Sequence, residues 1–310
     1  MTLNRLFAIM LVMSALAGCA SQSETVNSYK LYYLGGQSNM EGFGFSDKLR
    51  EDVARPSPDV MIFTGQMALD NETHGGIGIW ETLQPGHGTG FKTDGESNQL
   101  SNRFGPELLF GQTIAKHMPA SRIAIIKYAL GGSGLAEGVG YGNWHPDFSD
   151  GAGINQYDHA LTTLRNALAH TDIDGYGVSD RLIPTGIVWM QGEADAYDSQ
   201  AAADDYRVNI ERLMDLLRAA LRVDDLPIVI GKITDSGMSE DGTVMDYIET
   251  VQRAQQDFVT SDDCAAYVTV TDDLAYLDDG WHYDTEGFVR LGIAFAEAMQ
   301  DLEQKCGPND

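Results

Sequence analysis

Ser38 stands in Gly35-Gly36-Gln37-Ser38-Asn39-Met40, directly after the apolar run Lys30-Leu31-Tyr32-Tyr33-Leu34. A serine on a glycine-rich turn at the end of a strand is where a hydrolase exposes a nucleophilic hydroxyl. Glycine turns sharply without a Cβ clash and lets a substrate approach the backbone. Near the other end of the chain, Asp279-Gly280-Trp281-His282 sets a carboxylate three residues before an imidazole. A serine alcohol is a weak nucleophile until a base takes its proton. His282 is the candidate base. Asp279 can reach it across one turn, accept from the other ring nitrogen, fix the tautomer and stabilise the imidazolium. His145, in Trp144-His145-Pro146, is the competing base.

Acyl transfer also requires donors for the developing oxyanion, each worth roughly 10²–10³ in rate. The Ser38 amide is one candidate and the Gly132 amide, in Gly131-Gly132-Ser133-Gly134, a second. The side-chain amide of Gln191 is a third, since it donates where a carboxylate cannot. The Gly131–Gly134 run lacks the third glycine of a dinucleotide fingerprint and the following lysine of a P-loop, which disfavours a nucleotide role. Gln191-Gly192-Glu193-Ala194-Asp195 also reads as a helix start, with Glu193 or Asp195 meeting free amides.

These residues need elements to position them. Short β-branched and apolar runs predict strands over Tyr29–Leu34, Val60–Phe63, Ile123–Leu130, Gly186–Met190, Ile228–Ile233 and Ala266–Val270. Apolar residues at three- and four-residue spacing predict helices over Pro106–His117, Gln156–Ala169, Asp204–Leu221, Met245–Val259 and Glu286–Lys305, the first opening on a proline. Strands alternating with helices imply a parallel sheet covered on both faces. Ligands then bind beyond the carboxyl ends of the strands. Ser38, Gly131–Gly134, Gln191–Asp195 and Asp279–His282 all follow predicted strands and fall at that edge. Phe43–Arg103 and Glu137–Ile154 read as long loops walling the site.

The chain has 310 residues, 43% of them hydrophobic, and a formal charge of −26. It is long enough for a sizeable core. Nucleic acid is excluded as a partner, because a phosphate backbone demands a basic footprint. A neutral substrate is favoured over a polyanion unless the pocket is locally basic. Arg5 and the apolar stretch Leu6–Leu16 form a targeting segment too short for a permanent span. The run Leu16-Ala17-Gly18-Cys19 resembles a bacterial lipobox, in which Cys19 is lipidated. The expected organisation is a signal peptide over 1–18, a tether over 19–28 and one catalytic domain over 29–310. Ala20 after Cys19 does not suggest inner-membrane retention, so the expected location is the cell envelope, at the outer membrane, facing periplasm or exterior. The membrane is expected to be touched only through the lipid. Export permits disulfides. Cys264 and Cys306 can clip the last helix to the start of the last strand, or stand as two thiols. Neither has metal-site spacing.

Gly-Gln-Ser-Asn-Met at 36–40, Phe-Gly-Pro-Glu at 104–107, Lys-Tyr-Ala-Leu-Gly-Gly at 127–132, Trp-Met-Gln-Gly-Glu-Ala-Asp at 189–195 and Asp-Gly-Trp-His at 279–282 occur in that order. The set resembles the sialate O-acetylesterase-like carbohydrate esterases, which include acetylxylan esterases of carbohydrate esterase family 6. The resemblance runs from about Tyr29 to the C-terminal helix. It implies the SGNH-type fold, a three-layer α/β/α sandwich with a mostly parallel, flavodoxin-like sheet. It implies Ser38 as nucleophile, His282 as base, Asp279 as orienting acid and Gly132 as an oxyanion amide. Gln191 falls where the wider superfamily carries an asparagine, so either Gln191 or a backbone amide fills the third donor place. No metal or organic cofactor is implied. Gln37, Asn39, Trp144, Glu193 and Trp281 are candidate substrate contacts; Trp144, Trp281 and Tyr283 either offer ring faces to a sugar or simply pack. The expected activity is removal of O-acetyl groups from glycans. The alternatives are another acyl specificity on the same residues, and a non-catalytic glycan-binding lipoprotein.

Overall fold

The computed structural model describes residues 26–306. The targeting segment and Cys19 lie outside the described residues. Seven strands form the main sheet: β1 (Ser28–Gly36), β2 (Ser57–Thr64), β3 (Trp80–Leu83), β4 (Arg122–Ala129), β5 (Arg181–Met190), β6 (Ile228–Gly231) and β7 (Ala265–Val268). Their order across the sheet is β7-β6-β5-β1-β4-β2-β3. Every neighbouring pair is parallel except β2 with β3. Tyr32, Tyr33 and Leu34 of the central strand are all fully buried. That continuous apolar run, without alternation, is what a strand covered on both faces requires.

The helices are α1 (Ser38–Glu41), α2 (Pro106–His117), α3 (Gln156–Ala169), α4 (Glu193–Asp198), α5 (Gln200–Leu221), α6 (Ile248–Ser261) and α7 (Thr285–Cys306). α2 and α7 pack together on one face, where Tyr32 meets Phe110 edge-on and donates to Glu303. α3, α5 and α6 cover the other. The result is the expected three-layer α/β/α arrangement. Asn155 caps α3 reciprocally with Asp158, satisfying two amides at a helix start that would otherwise be orphaned. Among the described residues no helix is long and apolar enough to cross a membrane.

The expected strands all form, and the expected α2 and α3 boundaries match the observed ones. The segment 43–103 is more ordered than a loop. It contains the antiparallel edge strand β3 and paired two-residue strands at Gly44–Phe45 with Arg103–Phe104 and at Lys92–Thr93 with Asn98–Gln99. These pieces are too short to leave a periodic signal.

Cys264, just before β7, is bonded to Cys306 at the end of α7, with a sequence separation of 42. Closing a loop of that length restricts the unfolded chain and is worth about 4 kcal/mol in the chain-entropy account. Reducing the bridge, or replacing both cysteines by serine, is expected to lower the unfolding free energy by up to that amount, read by urea denaturation with and without reductant.

Candidate active site

β1 delivers Ser38 to the carboxyl edge of the sheet. Gly36 has a φ of +148°, and a Cβ built there would lie 1.9 Å from the Met190 carbonyl oxygen. Glycine is therefore required where β1 leaves β5. Ser38 is the first residue of α1, so its amide points outward from a helix start. Gly132 sits beside it with a φ of +67°. Neither the Ser38 nor the Gly132 amide donates a hydrogen bond within the described residues. The neighbouring Gly131 amide does, to Glu41 Oε2 at 2.8 Å. Glu41, in the last position of α1, thus ties the β4 loop to the serine helix. Burial pushes its carboxyl above the usual carboxylate range.

On the facing loop, His282 Nδ1 meets Asp279 Oδ2 at 2.8 Å. Asp279 Oδ1 accepts from the amides of Trp281 and His282 at 2.9 and 3.1 Å. Partial burial works to raise the Asp279 carboxyl, but the bonds from the imidazole and the two amides outweigh it and hold the group below its ordinary value. The Phe43 ring lies flat on the imidazole, with centroids 3.5 Å apart and planes 3° off parallel.

Asn39 joins the two halves. Its Nδ2 donates to the Trp281 carbonyl at 3.1 Å and to Glu193 Oε1 at 2.8 Å, and its Oδ1 accepts from the Tyr283 amide at 3.4 Å. The side chain next to Ser38 thus grips the backbone on both sides of His282. Asn39 and Glu193 are 1% and 2% exposed. They are not placed as substrate contacts; they are internal braces. Burial raises the Glu193 carboxyl.

Other expected residues are placed elsewhere. Gln191 is fully buried, and its Nε2 donates to Ser133 O and to Asp195 Oδ2 at 3.1 and 2.6 Å. Its amide is spent behind the β4 loop, not offered to a substrate oxygen. Asp195 accepts from the amides of Leu135 and Ala136, so it anchors that loop instead of capping α4; burial lifts its carboxyl to about 6. Trp144 is fully buried, with Nε1 bonded to Ser133 Oγ and its ring edge-on to Trp189. It packs and cannot face a sugar. The Tyr283 hydroxyl is buried against Thr234. His145 closes its own turn by accepting the Asp147 amide and does not line the cleft. Gln37 does line it, while Oε1 accepts from the Gly192 and Ala194 amides.

Ser38 and His282 open onto one cleft of about 700 Å³, walled also by Phe43, Gly132, Tyr141, Tyr197 and Trp281. The Ser38 hydroxyl makes no hydrogen bond within the described residues. Phe43, Glu41, Tyr141 and Tyr197 stand in no motif of the sequence. Glu41 stands one residue past the serine motif, a proximity that carried a signal.

Beneath the site, Lys127 is 2% exposed, and its ammonium donates to Glu107 Oε2 at 2.6 Å, to Glu41 O at 2.8 Å and to His87 O at 2.9 Å. Glu107 Oε1 accepts the Gly105 amide. Glu107 of the Phe104–Glu107 motif and Lys127 of the Lys127–Gly132 motif therefore meet as a buried ion pair that holds the C-terminal end of α1.

The three-layer α/β/α fold thus gathers a serine, a histidine–aspartate pair and unclaimed loop amides beyond the carboxyl ends of its parallel strands. A family model described as carbohydrate esterase, sialic acid-specific acetylesterase matches residues 28–301. The chain belongs to that family of carboxylic ester hydrolases. A probable carbohydrate esterase of Arabidopsis thaliana is 32% identical over 114 residues, 36% of this chain and 38% of that relative. The match thus spans well under half of the relative's length. The solved structure of an Arabidopsis thaliana protein superposes with a TM-score of 0.59 at 22% identity, covering 89% of this chain and 99% of that one. A carbohydrate acetylesterase from Xanthomonas citri superposes with a TM-score of 0.58 at 16% identity, covering 89% of this chain and 57% of that one. Both structural likenesses establish a shared fold.

Removing one partner of a buried pair strands the other charge. Glu107→Ala is expected to destabilise the protein by roughly 3–5 kcal/mol, measured by chemical denaturation, whereas an exposed pair such as Arg55 with Glu51 should contribute under about 1 kcal/mol.

Proposed function

We propose that the protein is a serine esterase that removes O-acetyl groups from carbohydrate, with Ser38 as nucleophile, His282 as base and Asp279 as its orienting acid. The observation that carries this reading is the 2.8 Å bond from Asp279 to an imidazole that lines the same cleft as Ser38. That bond leaves the distal ring nitrogen, Nε2, as the proton acceptor.

Ser38 Oγ attacks the acetyl carbonyl carbon and gives its proton to His282. The carbonyl oxygen becomes an oxyanion, met by the Ser38 and Gly132 amides, which no internal acceptor has claimed. The bond from carbon to the sugar oxygen then breaks, and His282 passes its proton to that oxygen, releasing the deacetylated sugar. Water repeats the sequence on the acetyl-serine: His282 takes a water proton, the hydroxide adds, and Ser38 leaves with the proton returned. Acetate is the second product. Glu41 and Asp195 hold the donor loop through Gly131, Leu135 and Ala136, so the amides are oriented before charge develops. We also propose that the Leu16–Cys19 run anchors the protein by lipid at the cell envelope.

Acetate release from an acetylated polysaccharide should fall at least roughly 10³-fold in Ser38→Ala with folding retained; equal release by variant and wild type would remove the nucleophile assignment. Asn39→Ala should lower kcat on 4-nitrophenyl acetate roughly 10- to 100-fold while KM moves less, because the misplaced imidazole costs orientation and not binding. Near-normal kcat in a folded Asn39→Ala protein would show that the brace does not govern the base.

A further inference from the structure

The loop between α3 and β5 reads Asp172-Ile173-Asp174-Gly175-Tyr176-Gly177-Val178-Ser179-Asp180. Its ends are tied where the Asp180 amide donates to Thr171 O at 2.7 Å. Carboxylate oxygens of Asp172, Asp174 and Asp180 lie within 4.8 Å of one another. Like charges that close repel, and an exposed acidic cluster by itself implies no ligand. The depth of this one does. Asp180 is 8% exposed. Its Oδ2 accepts the Ile173 amide at 3.0 Å, but Oδ1 is buried and meets no hydrogen-bond partner among the described residues. A carboxylate oxygen only accepts. Left unpaired out of water it carries the full desolvation cost of the group, so a cation or a donor belongs beside it.

The neighbouring donors are engaged at other oxygens. Asp174 Oδ2 accepts from Tyr29 Oη at 3.1 Å, Asn27 Nδ2 at 3.2 Å and Arg122 Nη1 at 3.3 Å. Asp174 Oδ1 takes the Tyr176 amide at 3.3 Å, and Asp172 Oδ2 the Gly177 amide at 2.9 Å. Arg122 is thus the one cation bonded to the cluster among the described residues, against three carboxylates. The donor set is oxygen throughout. Hard oxygen ligands suit calcium, which takes six to eight of them in flexible geometry and completes its shell with carbonyls and water; softer metals select nitrogen and sulfur. The spacing agrees. Aspartates stand first, third and ninth and a glycine sixth, as in the calcium loop that joins two helices in other proteins. Gly177, the sixth, has a φ of +81°, the left-handed turn that such a loop requires. Tyr176 stands fifth, and Ile183 twelfth, where that loop carries a bidentate glutamate. With those two ligands missing, the affinity falls in the weak range, on the order of 10⁻⁴–10⁻³ M.

We propose that Asp172, Asp174 and Asp180 form a calcium site that clamps the α3–β5 loop onto the amino ends of the central strands. Asp180 stands directly before β5, and Asp174 holds Tyr29 of β1 and Arg122 of β4, which are register partners. The site is therefore at the opposite edge of the sheet from the cleft. β1 runs from Ser28 to Gly36, which at about 3.3 Å per residue puts the cluster more than about 20 Å from Ser38. The ion supplies no chemistry to the ester. It neutralises three converging carboxylates and holds the loop closed, so its effect is on stability, and it stands independently of the esterase reading.

The test is thermal unfolding of the full chain in EGTA, in calcium chloride and in magnesium chloride at about 10 mM, with sodium chloride at about 0.15 M to screen the overall negative charge. Calcium is expected to raise Tm by about 3 °C or more over EGTA, because an ion that binds only the folded state stabilises it by mass action. Magnesium should give less than about half of that rise, since it demands octahedral geometry and gives up its water reluctantly. Asp180→Asn and Asp172→Asn keep the side-chain shape and should each lose most of the calcium-dependent rise. Asp172 is exposed, so its variant decides the matter if Asp180→Asn does not fold. Asp94→Asn, at an exposed aspartate of another loop, should keep the rise in full. The inference is overturned by a wild type whose Tm ignores calcium, by magnesium acting equally, or by a rise that Asp172→Asn retains in full.

Discussion

One amide side chain holds the two halves of the site in register. Asn39 belongs to the short helix that carries Ser38, and its donors and acceptor take the carbonyl before His282 and the amide after it, across 242 and 244 positions of sequence. An imidazole on a loop has many orientations. Fixing the backbone on both sides of it removes most of them, which is the positioning the proposed base requires. Glu193 closes the brace from below. Its burial makes the bond to Asn39 stronger than the same contact in water and makes loss of the partner more costly.

The rest of the site is arranged around buried carboxylates used as anchors. Glu41 takes the Gly131 amide, Asp195 the amides of Leu135 and Ala136, and Glu107 that of Gly105. A carboxylate accepts only, so each fixes donors on a glycine-rich loop that would otherwise be loose. The amides left over, at Ser38 and Gly132, belong to residues that line the cleft. In a chain with more than twice as many acids as bases, charge is spent inside on geometry. The cost of burying it is offset by Lys127 at one place and by backbone donors at the others.

The motifs were legible because their chemistry is local. Gly36 and Ser38 share one turn, and Asp279 reaches His282 within one loop. The strands were legible because a covered parallel sheet demands unbroken apolar runs. Trp144 and Gln191 misled for a common reason. Both lie in polar or glycine-rich stretches beside the site, where sequence gives proximity but not direction. Trp144 turned into the layer beneath, because its indole found Ser133 and Trp189 there. Gln191 turned toward Asp195. Tyr141 and Tyr197 carry no sequence signal, because an exposed tyrosine in a loop or short helix has no periodicity to mark it.

Taken alone, the chain of residues determined the parallel sheet, the edge at which its loops gather and the types of group able to carry acyl transfer. Those follow from short-range rules: apolar runs, turn glycines and a carboxylate one turn from an imidazole. Tertiary packing decided which of those groups face a common cleft, which are buried as braces, and that Tyr141, Tyr197 and Trp281 line that cleft. Side-chain direction depends on what each residue meets from elements far away in sequence, and no local pattern encodes that meeting.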